Sequence, residues 1–167
     1  MGKKKVVYAA AFVEDVVALR EALGLTEELG NKLHHITFAF KPDAAWVRRF
    51  FEEFPPGTRF EVVFRRLVAA QATPKTGGEG RISALSVDEV RGVGAGILGH
   101  VASGVPHLTV GVTPGVAPAL AGPLTAGVDH EQIVAGTREV HALAGVTASV
   151  RIGWFDGRED RFDEPPM

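Results

Sequence analysis

Two short segments of the chain share one pattern. His35-Ile36-Thr37-Phe38 and His107-Leu108-Thr109-Val110 each read histidine, apolar, threonine, apolar. Residues two apart on a β-strand point to the same side, so each segment, if extended, presents one imidazole and one hydroxyl together. An imidazole titrates close to neutral pH and can take or give a proton. A threonine hydroxyl donates a hydrogen bond to developing negative charge without adding charge of its own. Two such pairs face to face supply a base, an acid and two donors for the non-bridging oxygens of a phosphodiester. The candidate catalytic residues are therefore His35 and His107, and the candidate substrate-binding residues are Thr37 and Thr109. Thr113 shares strand parity with Thr109 and is expected to extend the phosphate pocket, although Thr-Pro-Gly also reads as a plain turn. His34 should point to the face opposite His35, so His35 is assigned to the site. A strand histidine beside a threonine can instead be a core pair bonded to backbone carbonyls. Two such pairs, both flanked by apolar residues and one in each half of the chain, favour the chemical reading.

The elements that must carry these residues follow from hydrophobic spacing. The motifs lie in strand-like stretches, 33–40 and 105–112. Residues 5–13 read as a strand and 14–23 as a helix closed by Gly24. After Pro42, Asp43 can cap a helix carrying Trp46, Val47, Phe50, Phe51 and Phe54 on one face, and Pro55-Pro56-Gly57 stops it. A strand over 58–69 and a return strand over 81–87 flank the loop 73–80, a candidate hinge between halves. Glycines 92, 94, 96 and 99 weaken any helix over 88–100. Residues 116–128 read as irregular, 129–143 as a helix capped by Asp129, 145–155 as a last strand, and 156–167 as a fraying charged tail. The order resembles a weak internal duplication with one histidine–threonine strand per half. Connections this short favour antiparallel pairing, so the expected class is α/β (α+β) in a single domain over 1–167, with lobes dividing near 73–80.

Composition narrows the function classes. A hydrophobic share of 46% and a charged share of 23% are ordinary for a globular domain. With no cysteine, neither a disulfide framework nor a thiolate metal site is available. The basic start is followed by an apolar run that Glu14 and Asp15 end too soon for a secretory signal, and no stretch is long enough to span a bilayer; a cytoplasmic protein is expected. A net charge of −2 argues against gripping long duplex nucleic acid, but not against a pocket for a nucleotide or an RNA end. The glycine-rich run 92–99 lacks the lysine of a triphosphate loop and the spacing of a dinucleotide fold. His100, His130 and His141 fall at no metal-ligand spacing, and neither metal nor cofactor is expected. Phe38 and Trp46 are expected in the core, and Tyr8 as well, though it could stack a base. One or two of Arg59, Arg65, Arg66, Lys75 and Arg81 are expected to bind the phosphates of a longer substrate, the rest being solvated.

Paired His-x-Thr motifs are the mark of the 2H phosphoesterases, and this chain resembles that family. The segment His107-Leu108-Thr109-Val110-Gly111-Val112-Thr113-Pro114-Gly115-Val116-Ala117-Pro118 is similar to the second-motif region of the cyclic phosphodiesterase domain of fungal and plant tRNA ligases. Residues 32–40 are similar to the first-motif region. The resemblance covers these two segments together with length and strand order; residues 54–105 lie outside it. It implies a bilobal fold in which two antiparallel sheets form a central groove with helices outside. It also implies hydrolysis of 2′,3′-cyclic phosphates, on RNA ends or nucleosides, to a 2′-phosphate. Related activities with the same four residues are 2′-5′ RNA ligation and cyclic-oligonucleotide cleavage; a non-catalytic RNA- or nucleotide-binding module is the alternative from another class. The tRNA ligases join this activity to a kinase and a ligase, for which no motif occurs here, so an RNA kinase or ligase would have to be a partner. Which ring is base and which acid depends on which ribose oxygen faces which ring.

Overall fold

The computed structural model describes residues 5–166; most of the basic start, residues 1–4, lies outside the described residues, as does residue 167. The strands are β1 (Tyr8–Val13), β2 (His35–Phe40), β3 (Arg59–Ala72), β4 (Gly80–Arg91), β5 (His107–Val112), β6 (Glu139–Phe155) and β7 (Asp160–Arg161). The helices are α1 (Val16–Ala22), α2 (Ala44–Glu53) and α3 (Ala121–Ala126), with short 3₁₀ turns at Ala95–His100 and Pro118–Leu120. The protein is thus mixed α/β, with more strand than helix. Among the described residues the strands form one antiparallel sheet in the order β2-β1-β6-β3-β4-β5, with β7 added against β6.

The two motif strands are the ends of that order, and the sheet bends until they meet. Each carries a bulge directly after its threonine. In β2, Thr37 pairs with Ala10 and Ala39 with Ala9, leaving Phe38 unpaired. In β5, Thr109 pairs with Ala84 and Gly111 with Ser83, leaving Val110 unpaired. A bulge frees backbone groups from the ladder, and here each freed carbonyl is taken by the opposite half. Ala102 N–H donates to Phe38 O at 2.7 Å, and Lys32 N–H donates to Val110 O at 2.9 Å. Leu33 N–H donates to Thr109 O at 2.9 Å, while the Asn31 side chain donates to Val112 O and accepts from Val112 N–H. These bonds nearly close the sheet. Gly111 permits the approach, because a Cβ there would overlap the Leu29 carbonyl oxygen.

Apolar side chains fill both sides. The larger cluster joins Ile36, Phe38, Leu108 and Val110 to Leu19 of α1, to Val47, Phe50 and Phe51 of α2, and to Trp154. Asp43 caps α2 through the Trp46 N–H as the sequence predicts, and Trp46 stacks on Phe50 with ring centroids 4.7 Å apart. A second cluster joins Ile82, Ala84 and Val112 to Leu120, Ala121 and Leu124.

Three expectations are corrected. Residues 129–143 are not a helix: from Glu139 they pair with β3, Val140 against Val68 and His141 against Leu67, because the long β3 needs a partner on that edge. The stretch 116–128 is not irregular, since it holds α3, whose Pro123 falls in the first turn, where an N–H has no intrahelical acceptor. The loop and return strand expected around 73–80 are present, as the turn of the β3–β4 hairpin, whose strands pair up to Ala72 and Gly80. The tail does not fray: β7 pairs with Trp154 and Phe155, and the Trp154 indole N–H donates to Asp163 O at 2.8 Å.

Candidate active site

His35 and Thr37 stand at one end of the sheet order and His107 and Thr109 at the other, and the closure brings all four to one groove of about 1060 Å³. In both strands the histidine and threonine are half-buried while the residue after each is buried, the alternation that the motifs predict. The bulge in β2 resets this alternation, so that Phe40, paired with Tyr8, joins His35 and Thr37 on the groove side. Phe40 is 65% exposed there. Lys32, Ser103 and Gly122 complete much of the wall, Gly122 lying against the His107 ring.

The same geometry turns Thr113 away. With Val110 as the extra residue, Val112 shares the side of Thr109, and Thr113 faces a separate cavity beside Leu67, Arg81 and His141. Its hydroxyl accepts the Arg81 N–H at 2.9 Å. The structure therefore does not bring Thr113 to the two pairs. Simple parity counting missed this because a bulge has no clear mark in the residue types.

Each histidine is held through Nδ1. His107 Nδ1 lies 2.7 Å from Val105 O, and a carbonyl only accepts, so Nδ1 carries the hydrogen and Nε2 is left for the groove. His35 Nδ1 lies 2.7 Å from His34 Nδ1, and His34 Nε2 lies 2.8 Å from the Asp160 carboxylate. His34 is thus not turned away as strand alternation implies. Leu33 has a left-handed φ of 60°, uncommon for a side chain of its size, and the strand begins only at His35. That kink folds the His34 ring back against His35, the two standing nearly perpendicular with centroids 4.8 Å apart. Asp160 and His34 are functional candidates missed by the motif; the adjacent histidines were a visible signal, the carboxylate in the tail was not.

Electrostatics separate the two sites. Burial, and then the positive charges that His34 and His107 can carry, lower the pKa of His35 to about 4, so it is neutral at pH 7. Tyr8 stacks on His35 with centroids 4.6 Å apart, and burial together with Asp160 holds its phenol at about 12, so it stays protonated. Arg59, Arg65, Arg66 and Arg81 pair with Glu14, Glu89, Asp88 and Glu139 rather than lining the groove. Among the described residues, the lysine or arginine that lines the groove is Lys32.

No family model matches the chain, and no curated protein matches it. Among the described residues no group of three or more His, Cys, Asp or Glu is placed to hold a metal ion, and no helix is long and apolar enough to cross a membrane.

Proposed function

We propose that the groove hydrolyses 2′,3′-cyclic phosphates, on RNA ends or nucleosides, to a 2′-phosphate and a free 3′-hydroxyl, as in the 2H phosphoesterases that the motifs resemble. The observation that carries the reading is the convergence of His35, Thr37, His107 and Thr109, from opposite ends of the sheet, on one groove. In this reading β2-β1-β6 and β3-β4-β5 are the two lobes of the groove.

His35 is the base and His107 the acid. The ring that burial keeps neutral can accept a proton at Nε2 from the attacking water. The water oxygen bonds to phosphorus, the bond from phosphorus to O3′ breaks, and O3′ takes the proton from Nε2 of His107, which enters the step as the imidazolium and leaves it neutral. Thr37 and Thr109 donate to the non-bridging oxygens, where charge grows. A phosphate anion between the rings favours the charged imidazole and offsets part of the burial and repulsion that depress His35, so its basicity rises when substrate is bound. Phe40 and Tyr8 give a nucleobase an aromatic surface, and Lys32 a cation for a further phosphate. RNA kinase or ligase partners would supply the steps before or after end opening.

The test is incubation with nucleoside 2′,3′-cyclic monophosphates in excess chelator, with products followed by phosphorus NMR. Metal-independent formation of the 2′-phosphate, with kcat bell-shaped in pH, is expected. Binding without turnover would favour a nucleotide-binding module, and joining of RNA ends would favour a ligase.

A further inference from the structure

His34 stands beside His35 on the groove wall, and Asp160 stands on the far side of His34, outside the groove lining. Asp160 can only accept, so the hydrogen on the 2.8 Å contact belongs to His34 Nε2. With His34 neutral, its Nδ1 is then a lone pair, and the 2.7 Å contact must be a donation from His35 Nδ1–H. That arrangement leaves His35 Nε2 bare toward the groove, the form a base requires. The two contacts form an unbroken line from a carboxylate to the groove, and three elements build it. The kink at Leu33 turns His34, β2 carries His35, and the β6–β7 hairpin carries Asp160, paired with Phe155. The hairpin turn is itself fixed, Asp156 accepting the N–H groups of Arg158 and Glu159.

We propose that His34 and Asp160 are positioning residues that set the His35 tautomer and hold the proton His35 removes. When Nε2 of His35 takes a proton from water, the hydrogen on its Nδ1 passes to Nδ1 of His34. His35 is neutral again, now with its hydrogen on Nε2, and His34 is an imidazolium against the Asp160 carboxylate. The charge thus moves from a half-buried ring to one 46% exposed beside an anion. This gives a ring of depressed basicity a route to act as a base. The charged and titratable neighbours that tune the pair are Glu14 and Arg151, which line a small pocket with His34 and Asp160, Tyr8 stacked on His35, and His107 and Lys32, which line the groove.

The proposal rests on the cyclic phosphodiesterase reading for its kinetics but not for its tautomer. Nitrogen-15 NMR of histidine-labelled protein at pH 7 should find His35 protonated on Nδ1 and bare on Nε2. His34→Ala should mix the tautomers, lower kcat by about 10–100-fold with little change in KM, and move the acidic limb of the pH–rate profile. His34→Gln, which can accept from His35 and donate to Asp160 but cannot become charged, should restore the tautomer without restoring kcat. Asp160→Asn should lie between native and His34→Ala. A His35 tautomer unchanged in His34→Ala would overturn the positioning role, and native kcat in His34→Gln would overturn the proton-holding role. If the native protein turns over no cyclic phosphate, the functional reading fails while the NMR result still decides the tautomer.

Discussion

Behind His107 stands a backbone carbonyl; behind His35 stands a second imidazole backed by a carboxylate. The strands that carry the two rings are otherwise close copies. Both start at the histidine, alternate half-buried and buried residues, bulge after the threonine, and give the freed carbonyl to the opposite half. A carbonyl cannot change its charge, so His107 keeps its Nδ1 hydrogen in either charge state, and Nε2 is the atom left to exchange a proton with the groove. His34 can change its charge, so His35 sits on a support that responds to a proton. Similar backbones thus hold two imidazoles in different chemical settings, the asymmetry that the proposed base and acid call for.

The largest effect expected is loss of either ring. His35→Ala and His107→Ala should each lower kcat by about 10²–10⁴-fold, the usual worth of a positioned general acid or base. The double variant should be little worse than the single ones, since one proton transfer without the other opens no ring. Thr37→Val and Thr109→Val should each cost about 10²-fold, with KM changed less than kcat. Steady-state kinetics on a cyclic mononucleotide read all of these. Equal losses for the two threonines would support the matched backbones; full activity without one histidine would break the pairing of roles.

The clasp between the halves is the next place to press. Gly111→Ala drives a methyl into the Leu29 carbonyl and should destabilise the fold by about 1–3 kcal/mol, measured as a lower midpoint in urea. Because residues 29–33 hold β5 beside β2, the same variant should lose more activity than its stability change alone accounts for at temperatures where it is fully folded. Gly96→Ala, with open space at its Cβ, is the matching control.

His35 should also mark the pH dependence of stability. Its pKa falls from 6.5 to about 4 on folding, so the unfolded chain binds the proton more readily. The stabilising effect of the neutral ring is therefore whole above pH 6.5 and is lost as pH falls toward 4. Melting temperature should drop over that window, and His35→Gln should flatten the drop. An equally steep drop in the variant would mean that other groups carry the acid sensitivity.

These effects depend on features that sequence reading reached unevenly. The motif residues and their shared side were legible because the period of two is local, and α2 was legible from Asp43 and the spacing of its aromatics. The strand over Glu139–Phe155 was legible only in its second part, 145–155; its first part is exposed on both faces and becomes a strand only by pairing with β3. Asp160 was hidden for a related reason: a charged segment near the end of the chain looks free until Trp154 and Phe162 pack it down. Long-range pairing fixes these elements, and no window of the sequence contains both partners.

The smallest effect expected is at Thr113, and it tests the bulge on which the shared backbone rests. Without Val110 as an extra residue, Thr113 would lie on the side of Thr109 and its hydroxyl would reach the phosphate. With the bulge, the hydroxyl accepts the Arg81 N–H in another cavity. Thr113→Val should therefore leave kcat and KM within about twofold of native while costing about 1 kcal/mol in urea denaturation through the lost hydrogen bond. A loss of activity comparable to that of Thr109→Val would place Thr113 on the groove side and remove the bulge, and with it the symmetry that makes His35 and His107 comparable.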